Sequence, residues 1–343
     1  TVGTAVVNYA GDYPGAVEGE LWYDSTNKDF KYQYPNVTAA GSWRTQANLN
    51  TARKDGGGFG SYNSAILAGG ASYGSDTETW NGSAWTEVNN LNTGRVLLGG
   101  AGADNTAGIV FGGFTHPPSQ HRADTELWNG TNWSEVNNLN SARYRPAGSG
   151  TSTLAIAFGG NTPPNNYTGA TETWNGTNWT EVNDLNTARE AAAASGTSTA
   201  NLAFGGYNPS TWVANTETWN GTNWTEVNDL NTARFALGGS VNSTNTDALA
   251  FGGSTPPTVK ANTELWNGTN WTEQNDLNTA RGKISGAASN TSNVLAFGGE
   301  TPGPTQQAAT EEWTGAGAAV GAWATGGDMN TAKKQTAGAG ESS

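Results

Sequence analysis

Along this chain, short apolar runs recur and each is closed by two glycines. AILAGG ends at Gly70, GIVFGG at Gly113, AIAFGG at Gly160, NLAFGG at Gly206, ALAFGG at Gly253 and VLAFGG at Gly299. Between the runs the chain is polar and alternates around tryptophan. The string TETWNGTNWTEVNDLNTAR occurs twice unchanged, ending at Arg189 and Arg234, and close variants end at Arg53, Arg95, Arg143 and Arg281. The first Trp of each unit falls at 80, 128, 174, 219, 266 and 313, spacings of 45 to 48 residues. A fixed period of this length marks a repeat architecture.

Each unit reads as four short strands. Strand A follows the Arg and is nearly all Gly, Ala and Ser; strand B is the apolar run; strand C is TETW; strand D is NWTEV. Helix is excluded because the alternation has period two and glycine is dense. Asn-Gly between C and D signals a hairpin. A two-residue turn at Asn175 and Gly176 would set Trp174 opposite Thr177 and Glu172 opposite Trp179, with Trp174 and Trp179 on one face of the sheet. Such indoles would wedge between neighbouring units, which accounts for every Trp except Trp212. A small strand A fits where strands converge on an axis. The pattern thus predicts a β-propeller; a β-solenoid, the main competitor, has shorter coils and no recurring Asn-Gly hairpins.

Counting strands predicts seven blades in one domain spanning residues 1–343. Six run from about residue 51 to 326, with Trp323 near the end of the sixth. The seventh would take strand A from 331–343 and strands B to D from 1–46: TAVVNYAG, ending at Gly11, as B, GELW, ending at Trp22, as C, and Trp43 in D. The expected fold is therefore all-β: a seven-bladed propeller of four-stranded antiparallel blades, closed by shared N- and C-terminal strands.

Composition narrows the functional classes. Charged residues are 13% of the 343, against about 25% in typical globular proteins, while Gly (48) and Trp (15) are abundant. Low charge with so much aromatic surface argues against disorder. The net charge of −13 repels phosphate, which disfavours nucleic-acid binding and docking on anionic membranes. No apolar run approaches the ~20 residues of a membrane span. There is no Cys, so disulfides and thiolate metal sites are excluded. The first residues lack the pattern of a signal peptide, and the absence of an initiator Met fits a processed form or an excised fragment.

The double Gly after an apolar strand, the outer-strand Trp and the Arg opening the inner strand resemble the kelch repeat. The Asn-, Thr- and Gly-rich strings NLNTAR, LAFGG and WNGTNWTE are similar to kelch-type repeats of marine bacteriophage virion and tail-fibre proteins, those of cyanophages included. EGELWYDSTNKDFKY also looks like a segment of phage structural proteins. The resemblance implies a non-catalytic module at the virion surface or outside the cell, binding a host-surface glycan or receptor, or another virion protein. Alternatives are a purely structural virion decoration or scaffold protein and a secreted lectin-like propeller. Kelch enzymes such as galactose oxidase hold copper with Tyr and His beside a Cys-linked Tyr, which a chain without Cys does not support.

Candidate chemistry is sparse. His116 and His121 share one loop with no carboxylate or thiolate to complete a metal site, so no metal or cofactor is expected. No nucleophile triad or phosphate loop is present. Arg53, Arg95, Arg143, Arg189, Arg234, Arg281 and Lys333 supply one cation per expected blade, and Glu20, Glu78, Glu126, Glu172, Glu217, Glu264 and Glu311 one carboxylate. These cations either ring the channel mouth to bind an acidic ligand or pair within the blades as a structural ring; a residue repeated in every blade ordinarily serves the repeat. In an up-and-down blade the D-to-A and B-to-C connections share one face. The B-to-C links differ in every blade, and variable loops on a rigid scaffold are where binding concentrates. Tyr167, Tyr207 and Trp212 in these loops, with His116 and His121, are the candidate ligand-binding residues.

Overall fold

A computed structural model describes residues 7–9, 21–26, 28–32 and 41–315. Residues 41–315 form six four-stranded antiparallel sheets. Blade 1 comprises Gly57–Ser61, Ser64–Gly70, Gly74–Trp80 and Trp85–Val88. Blade 2 comprises Gly99–Asp104, Ala107–Phe111, Thr125–Trp128 and Trp133–Val136. Blade 3 comprises Ala147–Gly150, Ala155–Phe158, Thr171–Trp174 and Trp179–Val182. Blade 4 comprises Ala193–Gly196, Asn201–Phe204, Thr216–Trp219 and Trp224–Val227. Blade 5 comprises Gly238–Gly239, Ala248–Phe251, Thr263–Trp266 and Trp271–Glu273. Blade 6 takes strands A to C from Ser285–Ala288, Asn293–Phe297 and Thr310–Thr314, and strand D from Ser42–Gln46 near the other end of the sequence.

The fold is thus a β-propeller of six blades, which corrects the expected seven. Trp43 completes blade 6 rather than a seventh blade. It lies opposite Trp313, in the register that puts Trp179 opposite Trp174. Each strand-D indole donates Nε1–H to the strand-C threonine of the preceding blade: Trp179 to Thr125 at 3.1 Å, Trp224 to Thr171 at 3.1 Å, and Trp43 to Thr263 at 2.9 Å. Trp85 of blade 1 donates to Thr310 of blade 6 at 3.0 Å and closes the circle. The strands expected as B and C of a seventh blade, Val7–Tyr9 and Leu21–Asp24, instead pair parallel in a separate three-stranded sheet with Asp29–Tyr32. A parallel pair cannot be the antiparallel B–C pair of a blade. Lys333, Glu20 and Trp323 lie outside the described residues.

The C-to-D turn is also longer than the two-residue hairpin expected. Asn175 to Asn178 form a four-residue turn in which Asn175 Oδ1 accepts from the Thr177 and Asn178 amides at 2.9 and 2.8 Å. Trp174 then sits directly opposite Trp179, with ring centroids 5.5 Å apart. Their face packs on the preceding blade, where Phe111 meets Trp179 edge-on at 5.0 Å. The glycine pair marks the seam to the following blade. Gly159 has φ +65° and its absent Cβ would stand 2.5 Å from the Arg189 carbonyl, which also accepts from the Gly160 amide. Only glycine combines that backbone with that approach.

Candidate functional site

The repeated Arg and Glu form a buried pair inside each blade. Arg189 Nη1 donates to Glu217 at 2.8 Å; Arg53–Glu78 and Arg281–Glu311 are also at 2.8 Å, and Arg95–Glu126, Arg143–Glu172 and Arg234–Glu264 repeat the contact. All six guanidiniums are at most 1% exposed. The Asn three residues before each Arg completes the clasp, as where the Asn186 amide and Nδ2 both donate to Glu217 at 2.7 and 2.9 Å. The Arg189 carbonyl meanwhile accepts from Gly160 of the preceding blade. The six repeated arginines are therefore staples between and within blades, and none of their charge is available to a ligand at the surface.

Two residues past each Arg the chain turns sharply at the axis. Asp55, Leu97, Arg145, Ala191, Ala236 and Lys283 all have φ between 50° and 60°, a left-handed conformation costing roughly 1–2 kcal/mol for a non-glycine residue. A closed ring of backbone hydrogen bonds offsets that cost. Leu97 N donates to Asp55 O at 2.7 Å, Arg145 to Leu97 at 2.7 Å, Ala191 to Arg145 at 3.2 Å, Ala236 to Ala191 at 2.9 Å, Lys283 to Ala236 at 2.8 Å, and Asp55 back to Lys283 at 3.4 Å. The ring is made by backbone, so its side chains are free to vary, and five residue types occupy the six positions. They line a depression of about 100 Å³ at the channel mouth.

The flanking residues also differ from blade to blade. Tyr144, Glu190 and Phe235, each following a repeated Arg, pair with the bases of the B-to-C loops at Asn161, Tyr207 and Ser254. The D-to-A and B-to-C connections therefore share one face, as the strand order requires. Four of these loops rise as two-stranded ribbons, among them Phe114–Thr115 with Gln120–His121 and Asn161–Thr162 with Asn166–Tyr167.

Charge at the mouth is balanced. Arg145 pairs with Glu190 at 2.6 Å, and Lys283 pairs with Glu300 at 2.6 Å, where Lys54 joins them. Burial alone would raise the Glu300 pKa, but bonds from the two lysines outweigh it and hold the carboxyl below its usual range. Burial likewise works to lower the Arg145 pKa, and Glu190 and Asp55 overcome it, holding the guanidinium above its ordinary value. Asp55 is partly open to the throat but surrounded by protein. Burial pushes its carboxyl up despite Arg145 and Lys283 nearby.

Aromatic rings surround these charges in two groups. Tyr167 and Tyr207 meet at 5.6 Å, and Tyr207 and Phe235 at 6.0 Å. His121 and Tyr144 meet at 4.8 Å with Phe114 beside them, and exposed His116 lies 5.5 Å from Tyr73. The Arg145 guanidinium joins the groups, 5.9 Å from both the Tyr144 and Phe235 rings. Of the residues expected from sequence, Tyr167 and Tyr207 thus come together, while His116 and His121 sit in the second group. Partly buried Trp212 folds back and bridges to Tyr207 through its backbone. Arg145, Glu190, Asp55 and Lys283 were missed. Their signal was the pair of positions after each repeated Arg, which reads KD, VL, YR, EA, FA and GK where the preceding string hardly changes.

The opposite end of the channel is plugged. The A-to-B connection of blade 5 is longer than in blade 4, with Gly238 opposite Phe251 where blade 4 has Ala193 opposite Phe204. Its Asn242 crosses to blades 1 and 2 and donates Nδ2–H to the Gly102 and Gly60 carbonyls at 2.5 and 3.3 Å. Val241 O accepts from the Gly196 amide of blade 4. A small ligand would therefore reach the shaft from the mouth with the aromatic groups.

No known family model matches the chain, and no curated protein matches its sequence. Among solved structures the chain is similar to that of YjhT, with a TM-score of 0.66 and 13% identity, over 77% of this chain and 95% of that one. At that identity the likeness speaks for the fold alone, and it is the propeller that the two share.

Proposed function

We propose that this chain is a non-catalytic binding module of a phage virion or tail fibre, and that it engages a host-surface glycan through the face formed by the D-to-A and B-to-C connections. The observation that carries the reading is the division of labour between repeated and unrepeated residues. Repeated Trp, Arg, Glu, Asn and Gly are consumed in packing and hydrogen bonds, whereas the varied residues gather around one mouth with tyrosines, a phenylalanine and paired charges. Rigid amphipathic rings beside a few placed polar groups suit a sugar, whose C–H faces stack and whose hydroxyls need partners. The phage resemblance of the repeats supplies the setting. The test is an array of bacterial surface glycans probed with the purified chain, alongside mass spectrometry of purified virions. Glycan binding with the protein present in virions is expected. Reproducible turnover of a bound glycan by the pure chain would overturn the non-catalytic part, and absence of any glycan binding would overturn the rest.

A further inference from the structure

Resting on that reading, we infer that Glu190 and Arg145, set among Tyr144, Tyr167 and Tyr207, form the subsite, and that it takes a neutral hydroxylated ring rather than an acidic sugar. Glu190 is 4% exposed and uses Oε1 for Arg145, while its buried Oε2 has no hydrogen-bond partner. A buried carboxylate oxygen left without a donor is costly, and a ligand hydroxyl would supply the missing donor. The Arg145 guanidinium carries five N–H groups, and the bond to Glu190 engages Nη1. The pair can therefore accept from one hydroxyl and donate to its neighbour, which is the demand of a vicinal diol.

The tyrosines complete the set. Burial first, and the charge of Glu190 second, raise the Tyr144 and Tyr167 pKa values, so both phenols stay protonated as donors at neutral pH. The Tyr167 and Tyr207 rings offer apolar surface next to that polar pair. The sign of the ligand follows from the balance of charge. Glu190 already answers Arg145, Glu300 answers Lys283 and Lys54, and Asp55 lies between Arg145 and Lys283. A ligand carboxylate would meet Glu190 and compete with it for Arg145, whereas a neutral diol disturbs no ion pair.

Calorimetric titration of the whole chain with neutral oligosaccharides, and with sialylated and uronic-acid counterparts, tests this. Glu190→Gln and Tyr167→Ala are the variants; the second removes a partly exposed ring and should fold even if the first does not. Neutral oligosaccharides should bind, and each folded variant should bind them at least about tenfold more weakly, the scale of one hydrogen bond to a charged group or one stacked ring. Unchanged affinity in both variants, with glycan binding intact in the parent, would overturn the subsite and leave the glycan-binding reading standing. Preference for the acidic oligosaccharides would overturn the neutral class. Failure of the parent to bind any oligosaccharide would bring down both readings.

Discussion

Glu217→Ala probes the staple that holds each blade to its neighbour. Glu217 is fully buried in blade 4 and accepts from Arg189 Nη1 at 2.8 Å, from the Asn186 amide and Nδ2 at 2.7 and 2.9 Å, and from the Thr187 amide at 3.2 Å. Removing the carboxylate leaves a guanidinium without its bonded counter-charge in a site where it is 0% exposed. Breaking a buried ion pair on one side costs about 3–5 kcal/mol, and an orphaned buried donor costs about 1–3 kcal/mol. The two overlap, because the orphaned groups and the unpaired charge share one cavity, so we expect about 4–6 kcal/mol. At about 1.5 °C per kcal/mol, scaled from ~2.1 cal/mol/K of unfolding entropy per residue over roughly 300 residues, the melting temperature should fall by about 6–9 °C. The assay is urea unfolding followed by Trp fluorescence, with a thermal scan. The companion variant Arg189→Met/Glu217→Met removes both charges and should recover most of the loss, because a buried pair replaced by apolar residues is often neutral. A loss under about 1 kcal/mol for Glu217→Ala would refute the staple; equal losses in the single and double variants would refute the role assigned to the charge.

Three further outcomes follow. Trp174→Ala and Trp43→Ala should each cost about 3–5 kcal/mol, since both indoles are buried and hydrogen-bonded, Trp174 to the Ser152 carbonyl and Trp43 to the Thr263 hydroxyl; a Trp43 variant as stable as the parent would mean that blade 6 is not completed from the N-terminal side. Asp55→Asn should stabilise the protein at pH 7. Its folded pKa is raised, so the contribution of Asp55 is fully present below the unfolded value of about 3.9 and is lost as pH rises through the folded one; the advantage of the variant should therefore fade as pH falls toward 4, and urea midpoints across pH would show the opposite if the throat favoured the carboxylate. Gly159→Ala should be poorly tolerated, because a Cβ there meets the Arg189 carbonyl on a left-handed backbone; a melting temperature equal to the parent's would contradict that seam.

The fold was legible because the repeat states it six times. Period-two Trp, small strand A and the glycine pair each have one physical reading, and the blades follow from them. Blade number was not legible, because TAVVNYAG and GELW match strands B and C as strings but say nothing of the direction in which they pair. Parallel pairing of Val7–Tyr9 with Leu21–Asp24 removed them from the count. The site was half legible. Loop length pointed to Tyr167 and Tyr207, but Glu190 and Arg145 stand next to repeated residues and looked like scaffold. The ring of left-handed backbone places Arg145, two residues after a repeated Arg, at the axis, and the bond from Arg145 to Glu190 brings the pair to a common mouth. The role of Asn242 was hidden because it acts on glycines more than a hundred residues away.

The central claim is that one face of the disc binds while the repeats hold it. The most direct measurement compares two variants of the labelled chain on the glycan surface that the parent recognises. One carries Trp212→Ala, Tyr167→Ala and His116→Ala on the mouth face. The other alters exposed residues of the Asn-Gly turns on the opposite face, at Thr177 and Thr222. The account predicts that the first loses binding with its melting temperature nearly unchanged, while the second binds as the parent does. Binding retained by the first and lost by the second would place the ligand on the other face and contradict the account.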